Sequence, residues 1–204
     1  MAKKIRHLVK TSLIIVGEGA HDKAFLDHMK ELYDGRETNQ SVKIASADGG
    51  SPKDIIEVVI KKSKNADYDK RYVLMDSDIP LSDKEYKLAK DNKITLLLSE
   101  PLCLEGMLLD VLGQKSASTS QACKDKLHPL LAGKPTEKQS YRVKFSKPVL
   151  DTTTKQTIVT LRNVLANKSF LPNAETIAAM EEARAGQLQS AQAIEEFTKA
   201  MYVL

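Results

Sequence analysis

Two hydrophobic rhythms alternate along the first half of the chain. Thr11-Ser12-Leu13-Ile14-Ile15-Val16 is a short aliphatic run ended by glycine, which predicts a buried strand. From Ala20 to about Tyr33 the apolar residues Phe25, Met29, Leu32 and Tyr33 fall at helical spacing. Val42-Lys43-Ile44-Ala45 predicts a second strand. A helix then opens at Pro52 and carries Ile55, Ile56, Val59 and Ile60, with Ser51 as its cap. Arg71-Tyr72-Val73-Leu74-Met75 is the third strand, Ser82 to Lys90 a polar helix, and Ile94-Thr95-Leu96-Leu97-Leu98 the fourth strand. A further helix runs from Leu104 to Leu112, before Gly113. Four strand-helix pairs in series predict an α/β architecture with a mostly parallel four-stranded sheet flanked by helices and joined by right-handed crossovers.

After Gly113 the pattern loosens. Ser116-Ala117-Ser118-Thr119-Ser120 reads as a polar linker, followed by a short helix around Gln121 to Leu131. Residues 132–157 show little periodicity, and Tyr141-Arg142-Val143-Lys144-Phe145 is the one strand-like stretch among them. Ile158, Leu161 and Leu165 mark another helix. From Asn173 a near-helical register runs through Ile177, Met180, Leu188, Ala191, Ile194 and Phe197, with a break at Gly186. The expected organisation is an α/β domain over 1–113 and a mainly helical extension over 114–204 packed on it.

Composition changes this picture little. With 42% hydrophobic and 28% charged residues, the chain has ordinary globular balance, which argues against wholesale disorder. The net charge of +4 is compatible with a nucleic-acid partner without implying one. Cys103 and Cys123 form no CxxC pair, so reduced thiols are expected. No apolar stretch is long enough for a signal core or a membrane span. A soluble, cytoplasmic protein is therefore the expectation.

The chemistry sits just beyond the strands. Glu18 and Asp22 follow the first, Asp48 the second, Asp76 and Asp78 the third, and Glu100 and Glu105 the fourth. In a parallel sheet the residues past the strand ends collect at one edge, where ligands bind. Carboxylates crowded there repel by about 1 kcal/mol per pair at 4 Å in water and about 4 kcal/mol at an effective dielectric near 20. A hard divalent cation relieves that repulsion, and oxygen ligands are what magnesium prefers. Asp76 and Asp78 flank a single residue after a buried strand, and Glu18 ends the strand expected beside it. Glu18 could serve as a ligand or take a proton from an attacking water. Asp22 reads equally as a ligand and as a first-turn acid favoured by the helix dipole. A second Asp-x-Asp, Asp67-Tyr68-Asp69, has no strand before it and reads as a solvated turn.

Leu13-Ile14-Ile15-Val16-Gly17-Glu18-Gly19 and Val73-Leu74-Met75-Asp76-Ser77-Asp78 together resemble the TOPRIM domain of topoisomerases, primases and overcoming-lysogenization-defect nucleases. Ser99-Glu100-Pro101-Leu102-Cys103-Leu104-Glu105 is similar to the RloB-like branch, where a Ser-x-Pro and a Cys-aromatic-Glu segment open the fourth helix. Here Leu102 is an added residue, Leu104 stands where an aromatic is usual, and Met107 where tryptophan is usual. The resemblance covers residues 11–113. It implies a Rossmann-like TOPRIM fold and a Mg2+- or Mn2+-dependent nuclease acting on DNA or RNA, in a prokaryotic defence or mobile-element setting. Asp76 and Asp78 would be the principal ligands, with Glu18 as ligand or base and Asp22 and Glu105 in support.

Other features have two readings each. Gly49, Gly50 and Ser51, with Lys53, could cradle a phosphate at a helix N-terminus, or simply form a tight strand-to-helix turn. Lys124, Lys126, Lys134, Lys138, Arg142, Lys144 and Lys147, with Tyr141 and Phe145 interleaved, could track a nucleic-acid backbone with bases stacked on the rings, or form a solvated basic surface. His21 and His28 lack partners at metal-ligand spacing and read as partly exposed helix histidines. The C-terminal helices could support a homodimer or hold a partner protein. Two other functions compete: a receiver-like phosphoacceptor domain using Asp76, Ser99 and Lys147, and a non-catalytic TOPRIM-like binding module.

Overall fold

Leu13 and Ile15 on one side of a strand, and Ile14 and Val16 on the other, are all fully buried, which requires a layer on each face of the sheet. A computed structural model describes residues 10–168 and supplies both layers. The strands are β1 (Thr11–Gly17), β2 (Gln40–Ser46), β3 (Lys70–Asp76) and β4 (Ile94–Ser99). They form one sheet in the order β2-β1-β3-β4, every neighbouring pair parallel. Between and after them lie α1 (Ala20–Tyr33), α2 (Pro52–Asn65), α3 (Asp83–Asp91) and α4 (Leu104–Val111). The architecture is α/β and Rossmann-like, with each predicted strand and helix of this half in place.

Strand alternation divides the core in two. Leu13, Ile15, Val42, Ile44, Leu74 and Leu97 point into a cluster with α1 and α4. Ile14, Val16, Ala45, Val73 and Met75 point into a cluster with α2 and α3. Helix starts follow the sequence signals: Ser51 accepts the Asp54 N–H through its hydroxyl, and Pro52 occupies the first turn of α2.

The chain beyond Gly113 completes the first cluster. Helices α5 (Ser120–Leu127), α6 (Lys147–Thr152) and α7 (Gln156–Leu165) bring Cys123, Leu127, Leu150, Ile158, Leu161 and Leu165 into it. Among the described residues, the chain from Ser120 to Leu165 is mainly helical and packs on the sheet. This stretch belongs to the same compact unit, which runs to Asn167, while Lys168–Leu204 forms a second. The expected helices from Asn173 onward, and a dimer or partner contact made by them, lie outside the described residues.

One predicted strand is absent. Lys138–Tyr141 is a 3-10 turn, and the chain continues irregularly to Phe145. Tyr141 and Phe145 are buried against Phe25, with ring centroids 5.5 and 6.1 Å away. Two large apolar rings four residues apart fit one turn facing the core, and their burial outweighs the β propensity of the stretch. Among the described residues no helix is long and apolar enough to cross a membrane.

Candidate metal centre

β1 and β3 are adjacent central strands, so their carboxyl ends deliver Glu18 and Asp76 to the same place. The ladder continues one residue past β1, where the Glu18 N–H donates to the Leu74 carbonyl at 3.0 Å. The Asp76 N–H in turn donates to Glu18 Oε2 at 3.0 Å. Asp76 Oδ1 accepts the N–H of Leu104, at the start of α4, at 3.0 Å. Asp22, in the first turn of α1, accepts the Gly19 N–H on Oδ2 at 2.9 Å. Each of the three carboxylates thus has one oxygen fixed by a backbone amide. Among the described residues no hydrogen bond reaches the other oxygen of any of them. For Asp22 that other oxygen, Oδ1, is fully buried.

Close packing sets this geometry. A side chain on Gly17 would put its Cβ 2.6 Å from the Asp22 Cβ, so glycine is what lets α1 start hard against the end of β1. Gly106 plays the same part for α4, since a Cβ there would lie 2.2 Å from the Pro101 carbonyl oxygen. Both helices begin at the site, so their positive N-terminal ends face its negative charge.

The three acids line a cleft of about 210 Å³ together with His21, Glu105 and Lys124. Burial, reinforced by the Asp76 carboxylate, pushes Asp22 up to about 8. Burial, with Glu18 next, pushes Asp76 up to about 7. Without a counter-ion the cleft therefore favours protons on Asp22 and Asp76, and a divalent cation would take their place. Ionised carboxylate oxygens accept only, and they are the ligand type that hard divalent cations prefer.

Glu105 occupies different company. Its side chain, only 4% exposed, accepts from His21 Nδ1 at 2.9 Å and His128 Nε2 at 3.1 Å, both on Oε1. Burial alone would raise its pKa, but the bonds from His128 and His21 outweigh this and hold it below the usual carboxylate range. The rings of His21 and His128 meet edge to face, 4.9 Å apart.

The other predicted site residues, apart from Gly49, do not line the cleft. Asp78 is exposed and accepts the Ser120 hydroxyl at 2.6 Å; it does not line the cleft, because the Ser77 and Asp78 amides are drawn to the Leu102 carbonyl. Ser99 is fully buried with its hydroxyl unpartnered, so it offers no surface to a phosphate. Ser51 is spent on the α2 cap, and Lys53 pairs with Glu57 at 3.4 Å. Gly49 lines the cleft, but its N–H donates to the Glu18 carbonyl. Gly50 packs over Asp54. The turn reading accounts for all four.

In the basic tract, Lys138 and Arg142 both pair with Glu31, and Lys144 is exposed. Tyr141 and Phe145 are too buried to stack on bases. His28, expected to be partly exposed, is buried and bonded through Nε2 to the Phe145 carbonyl at 2.7 Å. Two residues of this region, His128 and Lys124, have no signal in the sequence that sets them apart. Neither carries a motif, and only the fold of α5 against α4 brings Lys124 to the cleft and His128 to Glu105.

No family model matches the chain, and no curated protein or solved structure is significantly similar to it.

Proposed function

We propose that this protein is a TOPRIM-like, Mg2+- or Mn2+-dependent nuclease that hydrolyses phosphodiester bonds of DNA or RNA at the cleft formed by Glu18, Asp22 and Asp76. The observation that carries the reading is the buried, unpartnered Oδ1 of Asp22 beside two further carboxylates, each anchored by one oxygen. A buried carboxylate oxygen without a donor is costly, and a cation is the ligand that satisfies it.

Glu18, Asp22 and Asp76 would hold the ion, which supplies Lewis acidity toward a phosphoryl oxygen and an activated water when bound. Glu18, fixed through Oε2, keeps Oε1 to accept a proton from the attacking water. Lys124 lines the cleft and would meet a substrate phosphate. Asp78 steadies the loop after β3 through Ser120 and is not required as a ligand. The resemblance to RloB-like proteins supports a role in prokaryotic defence or on a mobile element.

The phosphoacceptor alternative loses two of its parts. Ser99 is enclosed, and Lys147 pairs with Asp151 while lying 4.6 Å from the Tyr33 ring.

The test is incubation of the full chain with single- and double-stranded DNA and RNA, with Mg2+, Mn2+ or chelator. Divalent-dependent cutting that disappears in Asp76→Asn supports the proposal. A folded wild-type protein that cuts none of these substrates sinks it and leaves a binding module.

A further inference from the structure

We propose that His21 Nδ1, Glu105 Oε1 and His128 Nε2 bind a borderline divalent transition ion of the Zn2+ class, at one side of the carboxylate cleft and without using Glu18, Asp22 or Asp76. The inference does not depend on the nuclease reading.

Three elements far apart in sequence supply the donors: α1, the first turn of α4, and the turn that follows α5. All three donor atoms lie within 4.8 Å of one another. Zinc binds imidazole nitrogen and carboxylate oxygen at about 2.0–2.2 Å, so adjacent ligands on one tetrahedral ion stand roughly 3.3–3.6 Å apart. The two nitrogens stand 2.9 and 3.1 Å from the shared Glu105 oxygen, so the two partly exposed rings need to move outward by only a few tenths of an ångström to reach that spacing.

The donor set also separates this site from its neighbour. Two imidazoles and one carboxylate suit zinc and similar ions, whereas the all-oxygen group of Glu18, Asp22 and Asp76 suits magnesium. Three protein ligands leave a coordination position for water, as in zinc sites that perform chemistry. The His21 and His128 rings are 31% and 29% exposed, which gives the ion a way in, while the buried Glu105 anchors it.

Without a metal, both rings direct a hydrogen at Glu105. Among the described residues neither ring's other nitrogen has a hydrogen-bond partner, so each neutral ring can change tautomer without breaking another bond. The ion then takes the place of the two hydrogens.

Equilibrium dialysis of the chelator-stripped full chain against Zn2+, with excess Mg2+ present, tests the site. Wild type is expected to retain about one equivalent, and His21→Gln and His128→Gln each to lose about a hundredfold or more in affinity, beyond what removing an outer-sphere partner costs. Both rings are partly exposed, so these variants should fold, and circular dichroism checks that. Co2+ serves as a second probe, with visible absorption bands in wild type that His128→Gln abolishes.

Asp76→Asn should retain Zn2+ while losing any cutting activity, which keeps the two proposals distinguishable. Three results overturn the site: no Zn2+ retained by wild type, equal retention by folded His21→Gln and His128→Gln, or loss of retention in Asp76→Asn.

Discussion

The backbone N–H of Asp76 donates to Glu18 Oε2, so the last residue of one central strand orients the carboxylate that follows its neighbour. Asp76 is at once a positioning group through its amide and a candidate ligand through its side chain. Exchange of the side chain alone should leave Glu18 in place.

Glu18→Gln keeps an oxygen able to accept that amide but removes the negative charge and the capacity to take a proton. The variant should fold as wild type while kcat for nucleic-acid cutting falls by about 10²–10³. Cleavage assays with matched melting curves check this; wild-type turnover would remove Glu18 from the chemistry.

Asp22 links the cleft to stability. Its carboxyl is raised to about 8 from an unfolded value of 3.8, so the native state binds more protons than the unfolded state between those values. Its contribution is fully present below about pH 4 and is lost as pH rises through about 8. In chelator, Asp22→Asn should match wild type near pH 4 and exceed it at pH 8.5 by about 1–3 kcal/mol, the usual cost of an unsatisfied buried polar group. Mg2+ should reverse the ranking at high pH by stabilising only wild type. Denaturant melts at the two pH values give the comparison.

Gly17→Ala tests the close approach of α1 to β1. The added carbon would sit 2.6 Å from the Asp22 Cβ, so α1 must shift. The expected loss is about 1–3 kcal/mol of stability, as for other overpacked positions. Metal-dependent stabilisation should weaken as well, because Asp22 moves with the helix. A variant with unchanged melting and unchanged response to Mg2+ would show that the packing is looser than described.

Lys124→Ala should act on substrate rather than on chemistry. A charge-assisted bond to phosphate is worth about 1.5–3 kcal/mol, so KM should rise roughly tenfold or more with a smaller change in kcat. Steady-state kinetics separate the two.

Much of the fold was legible because the strands carry their own signal. Leu13 to Val16 is apolar at every position, as a strand covered on both faces must be, and Ser51-Pro52 announces a helix start. Tyr141 to Phe145 misled for an equally physical reason. Aromatic and β-branched residues in alternation with basic ones satisfy a strand pattern, yet the same two rings also meet across one turn. Packing against Phe25 chose the turn.

The sequence by itself determined the α/β alternation and placed Glu18, Asp22 and Asp76 at strand ends, because strand period and chain direction are local properties. Only the tertiary structure decided which acids share a cleft. It turned Asp78 to Ser120 and gave Glu105 to two histidines, one of them 23 residues further along the chain. Such pairings depend on how α5 docks against α4, and docking is settled by burial across the whole core rather than by spacing within any one segment.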